Sequence, residues 1–396
     1  MKNPFIILFA SALATLAAVG IFYALQGPGD PDDFISLSEL SRIERTNKMV
    51  KYEVENAKER GAVSNDGSPA VYYYRTGADE NADKWIIHLQ GGGSCNSEEE
   101  CIERWKTQQF RMTSKNYSKY MTGSGIVSPD PDKNPDFYNF NHVYVKYSSS
   151  DVWSGNNEVE IEGRTVYFHG ARIVDAVLED LQNENIFPGQ TINDATDVLL
   201  TGSSAGGVGV MRNLDHVAET LSWAEVRGVN DSAWNLVGEL TPPEDWEPIS
   251  DLVKEEVYEF HNPRLDQSCI EANPDDPFAC IGSPYMYEYV ETPFFLYIDQ
   301  VDHNSLSFHG KLTVIDIDDR SDPVVMEYRE QNAQNIKNSI ADLEGVFSTR
   351  TGRHTALTGP YFFTLEVDGY TYQEVFTNWY LGLEGPTHVV KDGEIW

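Results

Sequence analysis

Apolar positions along the chain fall into three kinds of run. The first is unbroken: Phe5 to Leu25 is 21 residues without a charge, set between Met1-Lys2-Asn3-Pro4 and the breaker-rich Gln26-Gly27-Pro28-Gly29-Asp30. That length is enough to cross a bilayer core as a helix, and the small-residue cleavage patterns Ala10-Ser11-Ala12 and Ala12-Leu13-Ala14 fall inside it rather than at its end. The segment therefore reads as an export signal, an uncleaved anchor in preference to a cleaved signal peptide. Residues 1–35 are expected to be anchor plus linker, and residues 36–396 the folded domain.

The second kind of run is short, β-branched and aromatic. Ala70–Arg75, Trp85–Leu89, Val143–Tyr147, Asp197–Leu200, Glu225–Val229 and Phe294–Ile298 are predicted strands, with the polar Gly77–Lys84 as a hairpin-type loop between the first two. The third kind carries helical spacing. Leu37–Glu59, Gly170–Asn183 (apolar at Ala171, Val174, Val177, Leu178 and Leu181) and Gly207–Leu221 are predicted helices. The alternation of strand and helix argues for an α/β fold, a mostly parallel sheet covered by helices on both faces. Leu240–Tyr287, rich in Pro, Asp and aromatic residues, interrupts that rhythm and reads as a lid or cap insertion.

Charge narrows the partners. Sixty-three acidic residues against 29 basic ones give a formal charge of −34, so nucleic acid is disfavoured by repulsion. The acids are spread along the chain, which suggests a hydrated acidic surface suited to a salty medium. Four cysteines stand in two local pairs, Cys95 with Cys101 and Cys269 with Cys280; in an exported chain such pairs read as loop-stapling disulfides. Neither pair has the tight spacing and nearby histidines of a metal site. The expected location is outside the cytoplasm, with membrane attachment only through the N-terminal segment if that segment is retained.

The chemistry is concentrated at Thr201-Gly202-Ser203-Ser204-Ala205-Gly206-Gly207, a Gly-x-Ser-x-Gly between an apolar strand and a helix. Small residues at 202 and 206 let the backbone turn sharply, so Ser204 is raised above the sheet edge as a nucleophile. The helix that follows aims its N-terminus, and the Ala205 amide, at a developing oxyanion. Gln90-Gly91-Gly92-Gly93-Ser94, directly after a predicted strand, resembles the loop that supplies further oxyanion amides in esterases. A hydroxyl nucleophile needs a base and an orienting carboxylate, in chain order nucleophile, acid, base. Asp299 leads for the acid because it ends the strand Phe294–Ile298, with Asp302 and Asp231 as rivals. His354 leads for the base among His216, His261, His303, His309 and His388.

Four ordered segments carry a resemblance. Leu89-Gln90-Gly91-Gly92-Gly93-Ser94-Cys95, Tyr147-Ser148-Ser149-Ser150-Asp151-Val152-Trp153-Ser154-Gly155, Gly202–Gly207 with Asn213-Leu214-Asp215, and Asp231-Ser232-Ala233-Trp234 are similar to the pectin acetylesterase family, which includes plant pectin acetylesterases and Notum-type deacylases. The resemblance implies an α/β-hydrolase fold that needs no metal or other cofactor, and a triad of Ser204, Asp299 and His354, with oxyanion amides from Gly92, Gly93 and Ala205. It also matches Cys95 and Cys101 to a cysteine pair that staples the oxyanion loop. Where the family often has an aromatic residue before that first cysteine this chain has Ser94, and cysteines common at position 148 and shortly before the histidine are absent. Ser94, Trp153 and Asp231 are the candidates for contact with substrate. The implied activity is carboxyl-ester hydrolysis, with an O-acetylated polysaccharide as first substrate and a fatty-acyl ester on protein or lipid as second. A catalytically silent module that binds carbohydrate or lipid is the rival from another class, and a chain with all three triad roles intact counts against it.

Overall fold

The computed structural model describes residues 48–234, 255–308 and 319–393. The expected export segment, the first part of the expected 240–287 insertion and His309 lie outside the described residues.

The strands in chain order are β1 (Met49–Glu53), β2 (Val71–Arg75), β3 (Lys84–Leu89), β4 (Tyr120–Met121), β5 (Asn141–Val145), β6 (Asn157–Ile161), β7 (Arg164–Phe168), β8 (Asp197–Ser203), β9 (Glu225–Asp231), β10 (Phe294–Asp299), β11 (Gly345–Thr349), β12 (Glu366–Val367), β13 (Tyr370–Thr371) and β14 (His388–Val390). Among the described residues ten of them form one sheet in the order β14-β11-β10-β9-β8-β3-β5-β2-β1-β4. From β14 to β5 every neighbouring pair is parallel; β2, β1 and β4 then close one edge antiparallel.

Successive residues of a strand face opposite sides of the sheet, so a central strand covered on both faces must be apolar at consecutive positions. Ile87 and Leu200 pack on one face against Ile173, Val177, Val210 and Leu214 of the helices Gly170–Gln182 and Ala205–Thr220. Their neighbours Ile86 and Leu199 face the other way and join Phe295, Phe347, Val375 and Phe376, the last two from the helix Tyr372–Leu381. The α/β-hydrolase expectation holds in this arrangement.

Three local expectations do not hold. Ala70–Arg75 and Trp85–Leu89 are not a hairpin: β5 lies between β2 and β3, pairing antiparallel with one and parallel with the other. Met49–Glu53, inside the predicted helix Leu37–Glu59, is a strand whose Val50, Lys51 and Tyr52 register with Tyr74, Tyr73 and Tyr72. Sheet pairing with that aromatic strand overrides the local helical spacing. The strand expected at Val143–Tyr147 begins earlier, at Asn141, because Asn141 registers with Trp85.

Both expected disulfides are formed, Cys95 with Cys101 and Cys269 with Cys280. The described part of the insertion is helical at Glu255–His261 and Gln267–Ala272, and is fastened to the sheet side by His261 Nε2 donating to Cys95 O at 2.8 Å.

Candidate active site

Parallel strands end together, so the loops that leave their C-terminal ends meet in one place. Here β3 leads into Gly91–Ser94, β8 into Ser204, β9 into Ser232, β10 into Asp302 and β11 into His354. The candidate site is the convergence of those five ends.

Ser204 sits between β8 and the helix Ala205–Thr220 with φ 56° and ψ −121°, a backbone conformation that a residue with a Cβ rarely adopts. Its amide donates to Asp231 O at 2.8 Å, which helps to hold the turn. The flanking glycines have a steric reason. A Cβ at Gly202 would lie 2.1 Å from Gly206 O, and one at Gly206 would lie 1.9 Å from Leu89 O. Only glycine lets the helix start so close to the strand and to the neighbouring β3 loop.

His354 lies five residues beyond β11 and reaches back to the serine: Nε2 is 2.8 Å from Ser204 Oγ. Its Nδ1 is 2.6 Å from Asp302 Oδ2. An ionised carboxylate only accepts, so Nδ1 carries the ring proton and Nε2 is left to accept from the serine hydroxyl. Asp302 is fully buried, and its other oxygen accepts from Asn304 N at 2.9 Å. Burial acts to lower the pKa of His354, but the hydrogen bond and charge of Asp302, followed by the charge of Asp231, outweigh it and hold the imidazole above its ordinary 6.5.

Asp299 is therefore corrected as the expected acid. It is the last residue of β10, still registered with Thr349, and its carboxylate is taken by the turn after β11. Val301 N and Gly352 N donate to Oδ1 at 3.0 Å each, while Thr349 Oγ1, Thr351 N and Thr351 Oγ1 donate to Oδ2 at 2.6, 2.7 and 2.8 Å. Asp299 shapes the histidine loop; Asp302, the local rival on sequence grounds, meets the imidazole.

Two candidates for substrate contact are also corrected. Asp231 is fully buried and accepts from Ser203 Oγ at 2.5 Å, Ala356 N at 3.0 Å and Leu357 N at 3.1 Å, so it ties the nucleophile strand to the histidine loop. Burial pushes its carboxyl up to about 6 against the opposing pull of those donors and of His354. Trp153 is fully buried too, donating from Nε1 to Gln90 O at 2.9 Å and lying against Tyr147. It supports the glycine loop from below. Ser94 is half-exposed at the end of that loop.

The other histidines are committed elsewhere. His216 pairs with Asp175, His388 Nδ1 donates to Leu343 O, and His303 Nδ1 donates to Gly352 O. Gly91 packs beside the nucleophile, a Cβ there falling 3.0 Å from Ser204 Cβ. Gly92 O accepts from Arg104 Nη2 and Arg111 Nη1, two side chains that sequence reasoning did not single out because an isolated arginine on a helix carries no signature. The Gly92 and Gly93 amides donate to no described residue, and Ala205 at the first helical position has no acceptor within its helix.

Comparison with known proteins places this geometry. A curated frog relative, palmitoleoyl-protein carboxylesterase notum2 of Xenopus laevis, is 31% identical over 329 residues, 80% of this chain and 64% of its own length. The human palmitoleoyl-protein carboxylesterase NOTUM is 40% identical over 177 residues, 43% of this chain and 34% of its own. The chain thus spans less than two thirds of the length of each of these two curated relatives. The solved structure of the Wnt deacylase Notum from Drosophila superposes with a TM-score of 0.76 at 25% identity, covering 88% of this chain and 97% of that one. The family model described as Pectinacetylesterase matches residues 43–390, nearly the whole sequence from the first strand to the last, and the chain belongs to that family.

Proposed function

We propose that the protein is a serine carboxyl-ester hydrolase that removes O-acetyl groups from an extracellular polysaccharide. The observation that carries the hydrolase reading is the continuous chain from Ser204 Oγ through His354 to Asp302, standing beside loop amides with no acceptor among the described residues. Ser204 Oγ bonds to the ester carbonyl carbon while its proton passes to His354 Nε2, and Asp302 steadies the imidazolium. The oxyanion is held by the amides of Gly92, Gly93 and Ala205. The carbon–oxygen bond to the alcohol breaks as His354 returns the proton to the leaving oxygen. Water then repeats the sequence on the acyl-enzyme, releasing the acid.

Family membership supports an ester as substrate, and the first substrate choice is an O-acetylated glycan. A second reading, fatty-acyl removal, is favoured by one observation: the similar curated proteins are named palmitoleoyl-protein carboxylesterases. Two disulfides fit folding in an oxidising compartment, and we place the protein outside the cytoplasm. No described helix is long and apolar enough to cross a membrane. Rates on p-nitrophenyl esters from acetate to octanoate separate the substrates: kcat/KM highest on acetate supports deacetylation, and a maximum on octanoate supports fatty-acyl removal instead.

A further inference from the structure

The Gly92–Gly93 peptide is gripped from behind by two cations. Arg104 Nη2 donates to Gly92 O at 2.7 Å and Arg111 Nη1 to the same oxygen at 2.9 Å. Arg104 is only 6% exposed, and its other hydrogen-bond partner is neutral, Nε donating to Ser150 Oγ at 2.9 Å. In a chain with 63 acidic residues, neither guanidinium makes a salt bridge to a described carboxylate. Burial lowers the pKa of Arg104; Tyr147 acts against that shift, and the like charge of Arg111 adds to it. Lys146 adds to the same cationic neighbourhood, brought down to about 8 by burial first and by Arg111 second. Packing like charges together without a counter-charge is costly.

The peptide geometry gives that arrangement a use. A trans peptide is planar, so its C=O and N–H point in opposite directions, and no described peptide bond is cis. Fixing Gly92 O therefore fixes the aim of Gly93 N–H, which donates to no described residue. Gly93 holds φ 68°, open to glycine at no steric cost, so without the grip this peptide is free to rotate. Cationic donors on the carbonyl also polarise the amide and strengthen its N–H as a donor. Ser150, the hydroxyl partner of Arg104, accepts Cys95 N at its own carbonyl at 3.1 Å, so the same group holds both the arginine and the end of the glycine loop.

We propose that Arg104 and Arg111 are positioning residues of the oxyanion hole: together they orient and polarise the Gly92–Gly93 peptide so that the Gly93 amide meets the negative oxygen of the tetrahedral intermediate. The assignment rests on the serine-hydrolase reading above. It gives the two cations on Gly92 O a role in the reaction.

The test is steady-state kinetics on p-nitrophenyl acetate with the full chain, the parent and the arginine variants normalised to active sites titrated by a fluorophosphonate and Ser204→Ala to protein concentration. Arg111→Gln, at a half-exposed position, is expected to lose about tenfold in kcat with KM within about twofold, a fraction of the loss caused by deleting an oxyanion donor. Arg111→Lys restores most of the rate, and Arg104→Gln loses more than Arg111→Gln where it folds. Affinity for a trifluoromethyl ketone, which forms a tetrahedral adduct, falls in step with kcat/KM. Parental kcat per titrated site in Arg111→Gln overturns the proposal, as does a loss confined to KM. Ser204→Ala is run alongside: its inactivity beside an unchanged Arg111→Gln refutes only the arginine assignment, whereas its full activity refutes the hydrolase reading.

Discussion

The position of one carboxylate decides how the imidazole works. Asp302 can orient His354 because it is fully buried and presents one oxygen to Nδ1, while its other oxygen is occupied by the turn that follows. Asp299, three residues earlier, has its lone pairs filled by five donors from the neighbouring turns. Replacing each with asparagine separates the roles. Asp302→Asn is expected to lower kcat/KM by about 10³–10⁴-fold, because the amide favours the wrong tautomer of the ring. Asp299→Asn is expected to lower the melting temperature and to cost less rate.

The same pair sets a pH dependence. The neutral imidazole is the base, and Asp302 raises the pKa of His354 above 6.5, so kcat/KM rises with pH through a midpoint above that value. In Asp302→Asn burial is opposed only by the charge of Asp231, and the acid limb moves to lower pH. For stability the sign is opposite: the ion pair contributes fully below the unfolded-state pKa of histidine, and its contribution is lost as pH rises through the raised folded value. An acid limb that stays in place in Asp302→Asn contradicts this account.

The elbow shows how much of a site can be read from spacing. Gly-x-Ser-x-Gly between an apolar run and a helical run is sufficient to predict the sharp turn at Ser204, because each glycine answers a contact made within the same turn or with the adjoining strand. Gly206→Ala would push a methyl group into Leu89 O, displacing the β3 loop from the helix start. We expect loss of nearly all activity and a melting temperature lower by several degrees, read by calorimetry, equivalent to a destabilisation of about 1–3 kcal/mol or more. The acid was less legible for a physical reason. Whether a carboxylate at a strand end turns toward the histidine or toward the next loop depends on donors from the end of β11 and the turn after it, at least fifty residues away. Trp153 and Asp231 misled in the same way: polar and aromatic residues near the nucleophile suggest substrate contact, yet here they join loops beneath the site. The hairpin expected from Ala70 to Leu89 failed because β5, more than fifty residues later, inserts between its arms.

Across the whole molecule, the parallel half of the sheet delivers the functional loops to one edge, and the antiparallel strands β2, β1 and β4 extend the opposite side of the sheet away from them. The parallel, helix-covered part was visible in the alternation of strand and helix; the antiparallel edge was not, because that alternation fixes the layers but not the strand order. The charge of −34 was visible at once from composition; it bears on solubility and partners, not on the fold. Arg104 and Arg111 stand out against that acidic background only when the coordinates show both guanidiniums on one carbonyl oxygen.

The central claim is that a hydroxyl on residue 204, activated by His354, performs the chemistry. Its most direct test is kcat/KM on p-nitrophenyl acetate for the parent and for Ser204→Ala, a substitution that leaves the glycine contacts of the elbow in place. We predict a loss of at least about 10⁴-fold with an unchanged melting profile. A Ser204→Ala protein that hydrolyses the ester at the parental rate would contradict the account.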